Sequence, residues 1–442
     1  MTFFSIVVTL IAFIFVVSTY LINRRVGSLL MLYNVMNLVF VGLGTMLWPF
    51  WADIAAIAFS NFNLAAVSYD AYVRASLIFL VGTAIVNIMY TLLYGLIHQN
   101  IPKKAYSCDI SQSRENANSV SAKKAINFLM PLFLVLGILH IGNQISLAFE
   151  LNSAKDAYSV FLAGRESVGA NYFYHIFVQT ILPAGFLTFL IVHDADKRFW
   201  MRIYMYTQGC IVVVSLILIF RKGPLLLLFV QLFILFILKS YSYDKARLLS
   251  GLVSKGPIFV VVCLGILSAL YVFSGFSHDD PLEYLFVSVS RIVGRLSLPA
   301  LFYAEYFPKV DDFYGLENVR LFSKIFGFDL ISDTALVGTY FERHTLFDIS
   351  SVASSALYDF YGINGWYSVI LGSLFLGTII YVFDLLTQNL RIAKNATLFI
   401  FLTGIIYYFT QASLFRSFAG YGGVFYLALW FVVFKFRWVR AK

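Results

Sequence analysis

Apolar stretches recur along the whole chain and alternate with short polar segments. A helix of about twenty apolar residues is long enough to cross the hydrocarbon core of a bilayer. The stretches of suitable length are residues 3–21, 28–50, 75–97, 126–149, 172–191, 203–220, 225–238, 258–276, 366–386, 396–415 and 421–436. This pattern predicts an all-α polytopic integral membrane protein with about eleven transmembrane helices.

One long segment, residues 276–365, is too polar to cross a membrane and divides the chain. Residues 1–275 then hold transmembrane helices one to eight with short loops, and residues 366–442 hold helices nine to eleven and the carboxyl-terminal tail. Since the long segment also carries several arginines and a histidine, we expect it to hold most of the chemistry. We interpret it as a lid over the helices rather than as a separate domain.

The long loop contains a predicted amphipathic helix. Apolar residues recur with helical spacing from Leu282 to Leu296, and the run is expected to end at Pro299. The opposite face carries Arg291 and Arg295, which are four residues apart and repel each other unless an anion lies nearby. That anion could be a lipid headgroup under a helix lying in the membrane interface, or a bound substrate.

Composition supports the membrane interpretation. Hydrophobic residues make up 60% of the chain, charged residues only 12%, and the mean hydropathy is +0.82, which excludes a soluble globular protein of this length. The net charge of +9 is explained by membrane topology, so we expect no nucleic-acid partner. The three cysteines stand apart from one another without metal-ligand spacing, so neither a disulfide nor a zinc site is expected.

The distribution of basic residues predicts the orientation. Most of the 32 lysines and arginines fall in segments that lie in the cytoplasm if the amino terminus is outside and the carboxyl terminus inside. This orientation places the long loop on the outer face of the membrane. Basic residues in the short outer loops are contrary to the usual enrichment of positive charge in cytoplasmic loops, so another explanation is needed for them.

Two of these outer basic residues are candidate ligands for an anion. Arg165 lies between Gly164 and Gly169, where the backbone can fold closely around a ligand. Arg221 begins an Arg-Lys-Gly-Pro turn between two apolar helices, which would hold a phosphate ligand at a fixed depth. The alternatives are a loop arginine paired with a neighbouring acid such as Glu166, and a basic turn whose side chains reach lipid phosphates.

The last third of the long loop combines an acid, a fixed cation and an imidazole in the run Glu342-Arg343-His344. A histidine can accept a proton near neutral pH, which suits a general base, although it could equally be a surface residue without a role. Tyr340 precedes this run, and Tyr358 opens the aromatic segment that re-enters the membrane. No nucleotide-binding, serine-nucleophile or metal-cluster motif occurs in the sequence.

Together these pieces resemble the O-antigen polymerase (Wzy) family of oligosaccharide repeat-unit polymerases. The resemblance rests on the many apolar spans, Arg165 in an outer loop, the turn at 221–224, the arginine-rich outer loop, and the Leu-Tyr-Asp-Phe-Tyr-Gly-Ile-Asn-Gly run at 357–365. The arrangement of spans is similar over most of the chain, but only these short motifs point to this family in particular. Members often have a cytoplasmic amino terminus and twelve or more crossings, from which this chain departs.

The resemblance implies a metal-independent, cofactor-free membrane glycosyltransferase similar to the GT-C type, in the bacterial inner membrane with its active site facing the periplasm. It would polymerise undecaprenyl-pyrophosphate-linked oligosaccharide units into O-antigen or a related surface polysaccharide, such as that of lipopolysaccharide. Its partners would be this lipid-linked substrate, membrane lipid and possibly a regulator of chain length.

The predicted roles follow from the leaving group, a pyrophosphate whose negative charge grows as the glycosidic bond breaks. His344, Arg343 and Arg291 are the predicted catalytic residues, with Glu342 and Asp348 as other candidate bases. The predicted substrate-binding residues are Arg165, Arg221, Arg295, Tyr340 and Tyr358.

Three other functions remain open at the level of sequence. An O-antigen ligase, which transfers the chain to a lipid A core, shares the architecture and the loop arginine and histidine. A flippase or transporter is disfavoured because ionisable residues are nearly absent from the middle of the spans, where His140 is the clearest example. A structural membrane scaffold is the third.

Overall fold

The computed structural model describes residues 2–23, 28–59, 62–98, 111–152, 171–194, 198–218, 222–273, 290, 294, 297–315, 333–341 and 354–435. These residues form helices and connecting turns, with no β-strand among them. In chain order the α-helices are α1 Thr2–Asn23, α2 Ser28–Asn37, α3 Leu43–Met46, α4 Trp48–Ala58, α5 Tyr69–His98, α6 Ser111–Asn152, α7 Tyr172–Ile176, α8 Leu182–Val192, α9 Phe199–Leu218, α10 Lys222–Ser240, α11 Leu248–Phe273, α12 at 297–306, α13 Asp333–Phe341, α14 Ala356–Leu386, α15 Ala393–Phe409, α16 Leu414–Ala419 and α17 Gly423–Phe434.

Membrane-spanning character is confirmed. Within the described ranges, seven helical segments are long and apolar enough to cross a bilayer: Leu29–Met46, Tyr69–Ile97, Ser121–Ser146, Tyr172–Val192, Phe199–Leu218, Gly223–Ser240 and Ala356–Leu386. Shorter apolar helical segments occupy Phe3–Ser18, Leu248–Cys263, Ala393–Phe409 and Gly423–Phe434. The protein is therefore a polytopic, all-α membrane protein, while the count of eleven crossings and the orientation stay predictions.

Helix boundaries differ from the apolar runs at three places. α5 begins at Tyr69 and α14 at Ala356, so both helices extend well beyond the predicted crossings. The expectation that Pro299 ends a helix was wrong, because Pro299 lies inside the helix at residues 297–306. Burial accounts for the helix around Pro299: Leu298, Ala300 and Leu301 are at most 2% exposed, so packing outweighs the missing proline N–H.

The chain packs as two compact units. The first contains residues 1–100, 277–385 and 405–417, and the second contains 101–276, 386–404 and 418–442. The described part of the long polar segment thus belongs to the same unit as the first helices of the chain. We describe each unit by itself.

Polar side chains inside the first unit pair with one another. Asn34 on α2 and Asn87 on α5 exchange amide hydrogen bonds of 2.7 and 3.1 Å, and Asn37 donates to the Thr83 hydroxyl at 3.2 Å. At 1–2% exposure these amides would be costly without partners. The reciprocal pair therefore fixes the register of α2 against α5.

A buried carboxylate caps the start of α2. Asp384, near the end of α14, accepts hydrogen bonds from the backbone N–H groups of Leu29 and Leu30 at 3.1–3.4 Å and from the Tyr90 hydroxyl at 3.1 Å. The first N–H groups of a helix have no partner within the helix and attract negative charge. This contact joins α2, α5 and α14 at one end of the unit.

The second unit is built around α6, which packs against α8 and α9. His140 on α6 lies in hydrogen-bond contact with the Tyr174 hydroxyl and 3.4 Å from the backbone oxygen of Ser215. Gln208 donates to the backbone oxygen of Met130 at 3.2 Å. These interactions give the predicted mid-span histidine structural partners on two neighbouring helices.

Candidate functional site

Six predicted site residues lie outside the residues that the structure describes: Arg165, Arg221, Arg291, Arg295, Arg343 and His344. Their proposed assembly into one anion site stays a prediction. Tyr340 and Tyr358 are described, and both belong to the first unit.

Tyr358 is fully buried. Its exposed fraction is 0%, and its hydroxyl donates a 2.9 Å hydrogen bond to the backbone oxygen of Ala75 on α5. The Ala75 carbonyl oxygen can accept a hydrogen bond within its own helix and a second one from Tyr358. The second hydrogen bond ties α14 to α5. The described arrangement gives Tyr358 a packing role, and its part in substrate binding stays a prediction.

Tyr340 occupies the opposite kind of environment. It is the last residue but one of α13, with 47% of its surface exposed, and its ring meets that of Tyr306 edge to face, with centroids 5.5 Å apart. The adjacent Phe341 is buried and stacks on Phe302 at 4.1 Å, which anchors α13 on α12. Tyr340 therefore presents a ring to the surface from a firmly packed helix end.

A buried glutamate joins α12 to the start of α5. Glu305 is 3% exposed, and its carboxylate accepts a 2.9 Å hydrogen bond from the backbone N–H of Ser68 as well as bonds from the Ser68 hydroxyl and the Lys309 ammonium. Ser68 also accepts from the N–H of Ala71 at 3.2 Å, which is the geometry of an N-cap. The carboxylate thus stabilises the helix start and orients its capping residue.

The ionisation of this pair follows from the contacts. Burial by itself would raise the pKa of Glu305, but hydrogen bonds from Lys309 and Ser68 outweigh it and leave the pKa below its ordinary value. The hydrogen bond to Glu305 in turn raises the pKa of Lys309. Both groups are therefore charged at neutral pH, and the Lys309 side chain keeps 59% of its surface exposed.

Arg74 binds the carboxyl end of α12, the same end that carries Glu305. Its Nη1 donates 3.0 Å hydrogen bonds to the backbone oxygens of Ala304 and Phe307, where α12 ends. The last carbonyls of a helix lack internal partners and carry partial negative charge, which a guanidinium satisfies. Arg74 is not among the predicted site residues; its position directly before an apolar run was the available signal.

The segment after α12 is bound to the start of α14. Tyr314 and Gly315 donate backbone hydrogen bonds to the oxygens of Gly362 and Ile363, at 3.0 and 2.9 Å. The Tyr314 hydroxyl donates to the Asp359 carboxylate at 3.0 Å. These bonds attach the polar segment to the membrane helix that follows it.

The two glycines of the 357–365 run, Gly362 and Gly365, form a joint with a definite geometry. Within α14, Asn364 and Gly365 leave helical conformation, and Gly365 has φ +58°, a value that favours glycine. A Cβ on Gly362 would lie 2.6 Å from the Tyr314 ring, so only glycine allows this approach. The joint kinks the helix at Asn364 and Gly365, and its Gly362 lets the Tyr314 ring pack closely against it.

We call Ser68, Arg74, Glu305, Lys309 and Tyr340 the rim cluster. It sits where α5 begins, and α12 links its members through Glu305, its last carbonyls and the Tyr306 ring. Its accessible groups are one ammonium and one aromatic ring, with the exposed carboxylates of Asp311 and Asp312 following in the chain. Among the residues placed by the structure, no set of three histidine, cysteine, aspartate or glutamate side chains could hold a metal ion.

No protein-family model matches the chain, and neither any curated protein nor any solved structure is significantly similar to it. The function therefore has to be argued from the residues themselves.

Proposed function

We propose that the protein is a membrane-embedded glycosyltransferase that polymerises undecaprenyl-pyrophosphate-linked oligosaccharide units, of the kind made into O-antigen or a related surface polysaccharide. The proposal rests on the sequence resemblance to the O-antigen polymerases and on the polytopic helical architecture. The proposed setting is the periplasmic face of the bacterial inner membrane.

The observation that carries the proposal is the exposed Tyr340 ring beside the Glu305–Lys309 pair. The Tyr340 ring packs edge to face on Tyr306, the residue that follows Glu305 in the chain, and the ring is 47% exposed. Sugars offer an apolar C–H face that packs on aromatic rings and hydroxyl groups that bond to charged side chains. A few polar groups placed around an apolar wall are typical of specific small-molecule recognition.

The proposed catalytic charges come from the arginines. A pyrophosphate leaving group gains negative charge in the transition state, and preorganised guanidinium groups stabilise such charge most strongly where water is excluded. Arg291 and Arg343 are assigned to this role, with Arg165, Arg221 and Arg295 binding the diphosphate or the sugar. His344 is assigned as the base that accepts the proton of the acceptor hydroxyl.

The rim cluster contributes positioning in this scheme. Because Arg74 is engaged by two carbonyl oxygens, it holds α12 in place and is not assigned as a phosphate ligand. The described part of α12 begins two residues after Arg295 in the chain, so in the proposed site it connects the rim cluster to the segment that carries Arg291 and Arg295.

The decisive experiment incubates the purified protein in nanodiscs with a lipid-linked repeat unit and resolves the products as a ladder. We expect long chains from the wild type and only single units from Arg291→Ala and Arg343→Ala. Absence of any ladder with the wild type, but transfer of preformed chains to a lipid A core, would identify a ligase instead.

A further inference from the structure

A cavity of about 340 Å³ opens in the second unit, where α6, α8 and α9 meet. Its wall includes Asn127, Pro131, Phe189, Arg198, Trp200 and Tyr204. The cavity lies near the start of two candidate spans, in α6 and α9, and near the end of a third, in α8. Since consecutive spans reverse direction, these three points share one membrane surface, and the cavity opens at headgroup depth.

One side of the cavity is aromatic. The rings of Phe189 and Tyr204 meet edge to face with centroids 5.5 Å apart, and Trp200 is 77% exposed. Exposed tryptophan at the end of a span is typical of the boundary between hydrocarbon and headgroups. This wall suits an acyl chain that leaves the bilayer to lie against the protein.

The lining also includes polar groups of α6 near Pro131. Pro131 has no N–H, so the backbone oxygen of Asn127 lacks the donor that a regular helix would supply. Nε2 of His193 lies 2.9 Å from Oδ1 of Asn127, which leaves the Nδ2 donors of that amide for a ligand. A donor and an acceptor at one residue suit a headgroup that carries hydroxyl groups.

The charge at this end is positive. Arg198 lies in the cavity wall, and Lys123 on α6 and Arg202 on α9 are exposed at the same end of the unit. Asp194, which precedes α9, is already paired with Lys239 at 2.5 Å. Basic clusters at the end of a span attract anionic lipids, and a guanidinium has five donors, enough to bind a phosphate beside a protein partner.

We propose that this cavity binds one anionic phospholipid with a glycerol-type headgroup. Arg198 binds its phosphate, and Asn127 bonds the headgroup hydroxyls. One acyl chain lies along Phe189, Trp200 and Tyr204. The lipid bridges the Pro131 region of α6 and the start of α9, and the inference is independent of any glycosyltransferase activity.

The test uses Trp200 as its reporter. The protein is placed in nanodiscs of phosphatidylcholine with increasing fractions of brominated phosphatidylglycerol, and tryptophan quenching is measured against Trp200→Phe, which subtracts the other five of the six tryptophans. We expect brominated phosphatidylglycerol to quench Trp200 at lower mole fractions than brominated phosphatidylcholine does. Arg198→Gln should raise the fraction needed by about fivefold, the usual contribution of one basic residue at an anionic surface.

Arg202→Gln is the matched control. It removes an equal charge one helical turn from Arg198, and Arg202 does not line the cavity. We expect it to shift the quenching curve by less than Arg198→Gln does, because it removes only general attraction to the charged surface, and Arg198→Lys to fall between the wild type and Arg198→Gln. Equal quenching by the two brominated lipids would overturn the proposal. So would equal losses in Arg198→Gln and Arg202→Gln, since that would show general attraction to a charged surface. Monodisperse elution of each variant establishes that it is folded.

Discussion

The backbone N–H of Ser68 donates a 2.9 Å hydrogen bond to the carboxylate of Glu305, which lies 237 positions further along the chain. Through this bond the first turn of a long membrane helix is capped by a residue from the polar segment that sequence analysis marked as the centre of the chemistry. That segment is therefore attached to the start of α5 by a buried charge. Single substitutions can remove the hydrogen bonds of this attachment one at a time.

Glu305→Gln should lower the stability of the protein and change its pH dependence. Loss of charge-assisted hydrogen bonds to a buried carboxylate costs about 1–3 kcal/mol. Because the pKa of Glu305 is lowered in the folded state, its contribution is complete above the ordinary glutamate pKa of about 4.3 and disappears as the pH falls through the lower folded value.

Thermal melting in detergent at pH 7 and at successively lower pH measures both effects. The wild type should melt at a higher temperature than Glu305→Gln at pH 7, and the difference should shrink below about pH 4.3. Asp312→Asn is the control, because it neutralises an exposed acid of the same segment. A difference that grows on acidification would refute the assigned role of Glu305.

Arg74→Met should loosen the end of α12. The substitution leaves the backbone oxygens of Ala304 and Phe307 without the guanidinium donor, at a cost of about 1–3 kcal/mol. We expect a lower melting temperature and faster proteolysis within residues 307–315. Arg74→Lys should recover part of the loss, since an ammonium can reach one carbonyl. Proteolysis at the wild-type rate in Arg74→Met would show that these bonds do not hold the segment.

Gly365→Ala should destabilise the joint in α14. Its φ of +58° costs a side-chain-bearing residue roughly 1–2 kcal/mol, and the added Cβ would lie 2.9 Å from the Phe313 ring. The contrasting variant is Gly95→Ala on α5, where nothing lies within 4 Å of the added Cβ and helix propensity should improve by about 1 kcal/mol. Paired melting curves should therefore move in opposite directions; a fall in both would implicate general intolerance of the helices to substitution.

Tyr340→Ala and Tyr358→Phe should separate binding from packing. If the proposed polymerase activity is present, loss of the exposed Tyr340 ring should raise the KM for the lipid-linked unit by up to about tenfold, the equivalent of one aromatic contact, with little change in melting temperature. Tyr358→Phe removes a buried hydrogen bond and should cost about 0.5–1.5 kcal/mol of stability without a comparable change in KM. An unchanged KM in Tyr340→Ala would remove this ring from the substrate site.

Local hydropathy was sufficient to predict the helical, membrane-spanning class, because each span must satisfy its own backbone and offer apolar side chains to lipid. The glycine joint was also visible locally, since Gly362 and Gly365 mark a special backbone geometry. The predicted arginine site lies outside the residues that the structure describes and stays a prediction.

Tertiary structure decided what spacing along the chain does not record. Tyr340 and Tyr358 are both tyrosines in aromatic runs near the polar segment, yet one is half exposed and the other fully buried, because burial depends on which helices pack there. Arg74 is a basic residue before an apolar run in the sequence, and only the fold places the carbonyls of Ala304 and Phe307 beside it. Pro299 stays within a helix because burial of its neighbours outweighs its local preference. Contacts between distant residues set these outcomes, and a single sequence carries no local signal for them.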